Sequence, residues 1–159
     1  REYMTAESML RLKDAEHLIA IKWDVPEGED YDQMTQFSHI FNVIDNTGGI
    51  GGNVRCFKNG GVGYISSLIA VYPPHDLKML PLLQQGKYEE FDAEQKRVQD
   101  ALAPWMAKTG AVSGGYRQGK AMMAALGHPM GPTRPPTLPC TDDDIAEVRE
   151  IMVGLGWIT

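Results

Sequence analysis

The side chain with the clearest chemical potential is the amine of Lys22, within the stretch HLIAIKWDVPEGE (residues 17–29). An apolar run ends near this lysine and breaks at Pro26, a pattern typical of a strand followed by a turn. Alternate side chains of a strand point to opposite faces, so Ile21 and Trp23 share an apolar face and Lys22 lies on the other. In a low-dielectric pocket the charged ammonium is disfavoured, and the free amine can attack a carbonyl carbon to form a Schiff base. The alternative is a lysine that simply extends from the strand end into water.

Composition excludes several classes of protein. With 159 residues, 43% of them hydrophobic, the chain is long enough for one cored domain. A net charge of −6 and a pI near 5.1 disfavour a nucleic-acid partner, because no basic stripe is present to neutralise phosphates. No apolar run approaches the roughly 18 residues of a membrane-spanning helix. Cys56 and Cys140 lack the spacing of a metal or redox motif, which favours a reduced, cytoplasmic protein. The four histidines lack ligand-like spacing, so no metal site is predicted.

Around Lys22 the first seventy residues alternate between predicted helices (5–15, 32–40 and 53–59) and predicted strands (18–25, 41–46 and 61–70). This alternation predicts an α/β fold with parallel strands and helical crossovers. A glycine-rich loop, TGGIGGN at 47–53, follows the second strand, and either a substrate-facing loop or a plain turn fits it. Three strands alone would leave two open sheet edges, so the chain is expected to be either a small open sheet or part of a larger barrel.

The second half of the chain is predicted to be helical at 77–85, 88–108, 116–126 and 142–155. Thr141 and Asp144 form a capping-box variant at the start of the last helix. The segment GHPMGPTRPPTLP (127–139) contains too many prolines for a helix or a central strand and is predicted to be a fixed loop. Arg134 is expected to hold this loop through backbone carbonyls.

Three stretches, taken together, resemble the dihydrodipicolinate synthase / N-acetylneuraminate lyase family. They are LIAIKWDV, NGGVGYISSLIAVYP and ALGHPMGPTRPPTLPCTDDDIAEVREIMVGLGW. The resemblance implies the C-terminal portion of a (β/α)8 TIM barrel followed by a C-terminal helical region. Residues 1–72 would be a partial barrel with strands six to eight, and residues 73–159 the final barrel helix and the helical region. The chain would then be part of a longer protein whose first five strands carry the proton-relay tyrosine and the loop that holds the substrate carboxylate.

The same resemblance implies a function and a set of site residues. Lys22 matches the imine-forming lysine, and Ile65 the isoleucine whose main chain lies beside the bound 2-oxo acid. Gly61 and Gly63 match glycines that let the backbone approach the ligand, although a tight turn into the strand would also explain them. The implied protein is a Schiff-base lyase or aldolase that acts on pyruvate or a related 2-oxo acid and an aldehyde. It would need no metal or organic cofactor and would form a homo-oligomer, a tetramer or dimer.

Two alternatives remain open from the sequence. One is a 2-keto-3-deoxy sugar-acid dehydratase of the same family, in which the imine promotes loss of water. The other is a non-catalytic half-barrel that acts as an interaction module. Where many family members carry Ala-Asn-Val-x-Pro, this chain has Ile-Ala-Val-Tyr-Pro at 69–73, and Trp23 follows the lysine. These differences concern the second substrate rather than the imine chemistry.

Overall fold

A computed structural model describes residues 3–48 and 51–159 of the chain. Gly49 and Ile50, in the middle of the predicted glycine-rich loop, lie outside the described residues. The strands are β1 (Ala20–Trp23), β2 (Asn42–Asp45) and β3 (Gly63–Tyr64). The helices are α1 (Ala6–Leu10), α2 (Gly52–Lys58), α3 (Pro73–Gln84), α4 (Tyr88–Ser113), α5 (Tyr116–Ala125) and α6 (Asp142–Gly154), with 3-10 turns at Tyr31–Gln36 and Leu68–Ala70.

The chain divides into two compact units. The first consists of Arg1–Ser66 and Lys78–Asp92, and the second of Ser67–Leu77 and Ala93–Thr159. The sheet belongs to the first unit, and α5 and α6 belong to the second. In the described part of the chain, none of the helices is both long and apolar enough to cross a membrane.

The sheet of the first unit has three parallel strands in the order β1-β2-β3. Ile21, Trp23 and Val43 point from it into a core that also contains Met34 and Phe37. The ring centroids of Trp23 and Phe37 are 5.0 Å apart in an edge-on arrangement, a favoured geometry for aromatic pairs. The predicted apolar face of the first strand is therefore the buried one.

Several predicted elements of the first unit are shorter or tighter than expected. The helix expected over 5–15 spans only Ala6–Leu10, and the strand expected over 18–25 spans only Ala20–Trp23. The strand expected over 61–70 is confined to Gly63–Tyr64, because β3 pairs only with the last two residues of β2, at Ile44 and Asp45. Ile65 N–H still donates to the Asp45 carbonyl at 2.9 Å. Beyond it, β2 offers no further pairing within the part of the chain that the structure describes, and a 3-10 turn follows at Leu68–Ala70. The helix expected over 32–40 is a 3-10 helix, Tyr31–Gln36, capped by Asp30.

The second unit is a helical cluster with its own core. Trp105, Val148 and Met152 are fully buried there. The predicted capping box is confirmed: Thr141 Oγ1 accepts from the Asp144 N–H at 3.1 Å and Asp144 Oδ2 accepts from the Thr141 N–H at 3.0 Å. The role expected of Arg134 stays a prediction. Lys120 also holds the proline-rich segment, since its Nζ donates to the carbonyls of residues 130, 131 and 132 at 3.0 to 3.3 Å.

Candidate active site

The backbone of β1 places Lys22 on the sheet face that the helices leave uncovered. Its neighbours Ile21 and Trp23 are 9% and 2% exposed and pack into the core, whereas the Lys22 side chain is exposed. Because side chains alternate along a strand, the amine points away from the Trp23 side. The sequence prediction of which face carries the lysine agrees with this geometry.

Neighbouring strands continue the Lys22 face as a short row across the sheet. Lys22 is the register partner of Ile44, and Ile44 is the partner of Gly63. Ile65 follows Gly63 by two residues and is 47% exposed. The structure thus brings two residues singled out from the sequence, Lys22 and Gly63, to one face of the sheet with Ile44 between them, and Ile65 follows directly after β3.

The two predicted site glycines have different surroundings. A Cβ at Gly61 would lie 2.2 Å from Cys56 Sγ and 2.9 Å from the Cys56 carbonyl oxygen, so the backbone of Gly61 is pressed against the end of α2. A Cβ at Gly63 would meet only Ile44, at 3.9 Å, which is ordinary contact. Gly61 is therefore required by packing, whereas Gly63 leaves open space on the lysine face.

A buried polar network lies on the opposite face, at the carboxyl ends of β1 and β2. Trp23 Nε1 donates to the Tyr31 carbonyl at 2.9 Å, and Tyr31 Oη donates to Asp45 Oδ1 at 2.7 Å. Asn53 and Thr47 donate to Asp45 Oδ2 at 3.1 and 3.0 Å. Asp45 itself is 0% exposed, and these hydrogen bonds satisfy a carboxylate that would otherwise be costly to bury.

Burial governs the ionisation of the groups around this carboxylate. It raises the pKa of the Tyr31 hydroxyl far above its ordinary value, and the hydrogen bond to Asp45 raises it further. Burial also raises the pKa of the Cys56 thiol. The register pairs Asp45 with Trp23, so the Asp45 carboxylate lies on the other side of the sheet from the Lys22 amine.

Among residues 3–48 and 51–159, no cluster of three histidine, cysteine, aspartate or glutamate side chains could hold a metal ion.

Comparison with known proteins identifies the fold. No protein-family model and no curated protein matches the sequence. Solved structures do match, among them dihydrodipicolinate synthase from Oceanobacillus iheyensis, with a TM-score of 0.67 and 22% identity over 96% of this chain and 51% of that one. The fold is that of about half a dihydrodipicolinate synthase. A putative dihydrodipicolinate synthetase from Pseudomonas aeruginosa matches with a TM-score of 0.72 and 16% identity over 96% of this chain and 51% of that one.

A further match is the enzyme from Cyanidioschyzon merolae with lysine bound, with a TM-score of 0.69 and 20% identity over 99% of this chain and 51% of that one. The chain thus spans about half the length of the dihydrodipicolinate synthase structures that it matches. Together with the three parallel strands, these matches confirm the expected architecture, part of a TIM barrel followed by helices. The likeness supports the C-terminal half predicted from the three sequence stretches.

Proposed function

We propose that the protein is a Schiff-base lyase or aldolase in which Lys22 forms an imine with pyruvate or a related 2-oxo acid. The observation that carries this proposal is the position of Lys22 on the uncovered face of the sheet, in register with Ile44 and Gly63. The inward face of a dihydrodipicolinate synthase-like barrel is the face that its helices do not cover. Barrel enzymes use side chains near the carboxyl ends of such strands for chemistry.

The reaction needs only the amine and proton transfers. Neutral Lys22 attacks the 2-oxo carbon, the carbonyl oxygen leaves as water, and a C=N bond forms. The protonated imine withdraws electrons, so a proton on the adjacent carbon is lost and an enamine results. The enamine carbon then adds to an aldehyde, or the reverse sequence cleaves a carbon–carbon bond, and water releases the product from Lys22.

The surroundings of Lys22 suit a small 2-oxo acid. Ile44 offers an apolar surface beside the amine, and the missing side chain of Gly63 leaves room for the ligand over the backbone. The exposed lysine still needs partial desolvation to favour the free amine. We expect the remainder of a barrel to provide it, along with groups for proton relay and carboxylate binding.

Borohydride trapping tests the proposal. The full-length protein is incubated with pyruvate and sodium borohydride, and its peptides are weighed by mass spectrometry. We expect the mass of one reduced pyruvate on the peptide that contains Lys22. Lys22→Arg keeps the charge but not the nucleophile and should give no adduct, whereas Lys13→Ala, a change of an exposed lysine elsewhere, should react normally.

Absence of an adduct from the folded, full-length protein would contradict the proposal and favour a non-catalytic interaction module. If an adduct forms, product analysis distinguishes the two catalytic alternatives. Release of pyruvate and an aldehyde indicates a lyase, and loss of water from a 2-keto-3-deoxy sugar acid indicates a dehydratase. Assembly as a homo-oligomer and a cytoplasmic location stay predictions.

A further inference from the structure

A concave site lies within the second unit, between α5 and the proline-rich segment 127–139. Its volume is about 200 Å³, below the roughly 300–1,000 Å³ of pockets for drug-sized ligands. Ala121, Met130 and Ile145 supply apolar walls, and Arg117, Lys120 and Cys140 supply the reactive and charged groups. A cavity of this size and composition suits a small molecule with one polar end.

Arg117 is the buried charge of this cavity, with only 2% of its surface exposed. Its Nε donates to Cys140 Sγ at 3.2 Å and its Nη2 to the Pro139 carbonyl at 2.5 Å. Its Nη1 is also buried but has no hydrogen-bond partner within the described part of the chain. A buried guanidinium donor without an acceptor is costly, so an acceptor from a ligand would stabilise this arrangement.

Positive charge around the cavity is only partly neutralised. The carboxylate nearest Arg117 is Asp144, at 3.5 Å, and Lys108 shares it at 3.1 Å. Lys120 contacts three carbonyl oxygens and, within residues 3–48 and 51–159, no carboxylate. Arg117 and Lys120 thus line the cavity, and Asp144, the carboxylate paired with Arg117, is shared with Lys108, which also pairs with Glu147. Lys120 keeps its full charge beside the cavity, which favours an anionic occupant.

We propose that this cavity is a binding site for a small organic carboxylate. The carboxylate group lies toward Arg117 and Lys120, where it supplies the missing acceptor and the missing negative charge. The apolar part of the ligand packs against Ala121, Met130 and Ile145. The site belongs to the helical unit and does not depend on the imine chemistry of Lys22.

Cys140 provides a reporter for the test, because it lines the cavity and is partly accessible, whereas Cys56 is fully buried. Alkylation of Cys140 by iodoacetamide in the full-length protein is followed by mass spectrometry with increasing butyrate, and Cys56 is the internal reference. Saturation-transfer NMR of the butyrate methyl group in matched samples reports binding directly. We expect saturable protection of Cys140 and a saturation-transfer signal with butyrate, and neither with butyramide, which has the same size but no charge.

Variants of Lys120 test the charge requirement without removing the buried guanidinium. Lys120→Gln should weaken butyrate binding roughly tenfold, the effect of losing one charge-assisted hydrogen bond. Lys120→Arg should bind nearly as well as the native protein, and Lys96→Gln, on the exposed side of α4, should not differ from it. Equal binding of butyrate and butyramide, no NMR signal with butyrate, or unchanged affinity in Lys120→Gln would overturn the proposal.

Discussion

Lys22 and its neighbour Trp23 occupy opposite environments on one short strand. Lys22 is exposed on the uncovered sheet face, while the indole of Trp23 is buried and donates to the Tyr31 backbone. Tyr31 in turn donates to Asp45, the register partner of Trp23. The hydrogen bonds of Trp23 and Tyr31 on the buried face thus hold the end of β1 in place, and the Lys22 side chain takes no part in them. The Lys22 amine therefore lies on a strand whose other face is packed and hydrogen-bonded.

Replacing Tyr31 should change the stability of the protein in a pH-dependent way. Tyr31→Phe removes one donor from buried Asp45, which keeps Asn53 and Thr47, and should cost about 1–3 kcal/mol of unfolding free energy at neutral pH. The folded pKa of Tyr31 is raised above the ordinary value of 10.0. Only the unfolded state therefore ionises as the pH rises through about 10, and native stability falls there. In Tyr31→Phe the unfolding free energy should therefore decrease less above pH 10 than it does in the native protein.

Urea unfolding at neutral pH and above pH 10 measures both effects. Tyr116→Phe is the control, because Tyr116 is 91% exposed and should change stability little at either pH. An unchanged alkaline decline in Tyr31→Phe would show that the ionisation of Tyr31 is not linked to folding.

At the scale of elements, the passage from α2 into β3 depends on two glycines with different roles. The N–H of Gly61 donates to the Cys56 carbonyl at 2.8 Å, which ends α2 and starts the approach to the strand. Gly63 then pairs with Ile44 at the centre of the lysine face. One glycine allows close packing, and the other keeps the candidate site open.

Alanine substitutions at Gly61 and Gly63 should have different effects, the first on stability and the second on adduct formation at Lys22. Gly61→Ala places Cβ against the backbone of Cys56, a contact that flexible side-chain motion cannot relieve, and should destabilise the protein by about 1–3 kcal/mol. Gly63→Ala meets only Ile44 at 3.9 Å and should fold normally but slow adduct formation at Lys22. Thermal denaturation and borohydride trapping measure the two effects. Equal loss of stability in both variants would contradict this division.

Local patterns in the sequence were sufficient to predict several features of these elements. The Thr141 capping box and the buried face of β1 depend on residues close in the chain, and both are confirmed. The Tyr31–Asp45 hydrogen bond joins residues 14 positions apart, and only the parallel register brings them together. The role of Lys120 depends likewise on how the proline-rich segment folds back along α5. The length of β3 depends on where its partner β2 ends, and the residues of β3 alone do not specify that end point.

At the scale of the whole molecule, the sheet is that of a partial barrel. Within the described residues, β1 and β3 each pair on one side only. Unpaired strand edges present free N–H and C=O groups that other chains can pair with. The matched dihydrodipicolinate synthases are about twice as long as this chain, and a closed barrel has no such edges.

These 159 residues expressed alone should therefore associate or aggregate. Sedimentation velocity at several concentrations measures this directly, and the full-length protein is the comparison. We expect species larger than the 17.6 kDa monomer that become more abundant with concentration. A stable, concentration-independent monomer would contradict the interpretation of the sheet as an incomplete barrel.

The most direct test of the central claim is a crystal structure of the full-length protein after borohydride reduction with pyruvate. We predict continuous density from Lys22 Nζ to the former 2-oxo carbon, on the sheet face of Ile44 and Gly63 and inside a closed barrel. Density for the adduct on any other residue, or a Lys22 side chain on the helix-covered face with Trp23, would contradict the account.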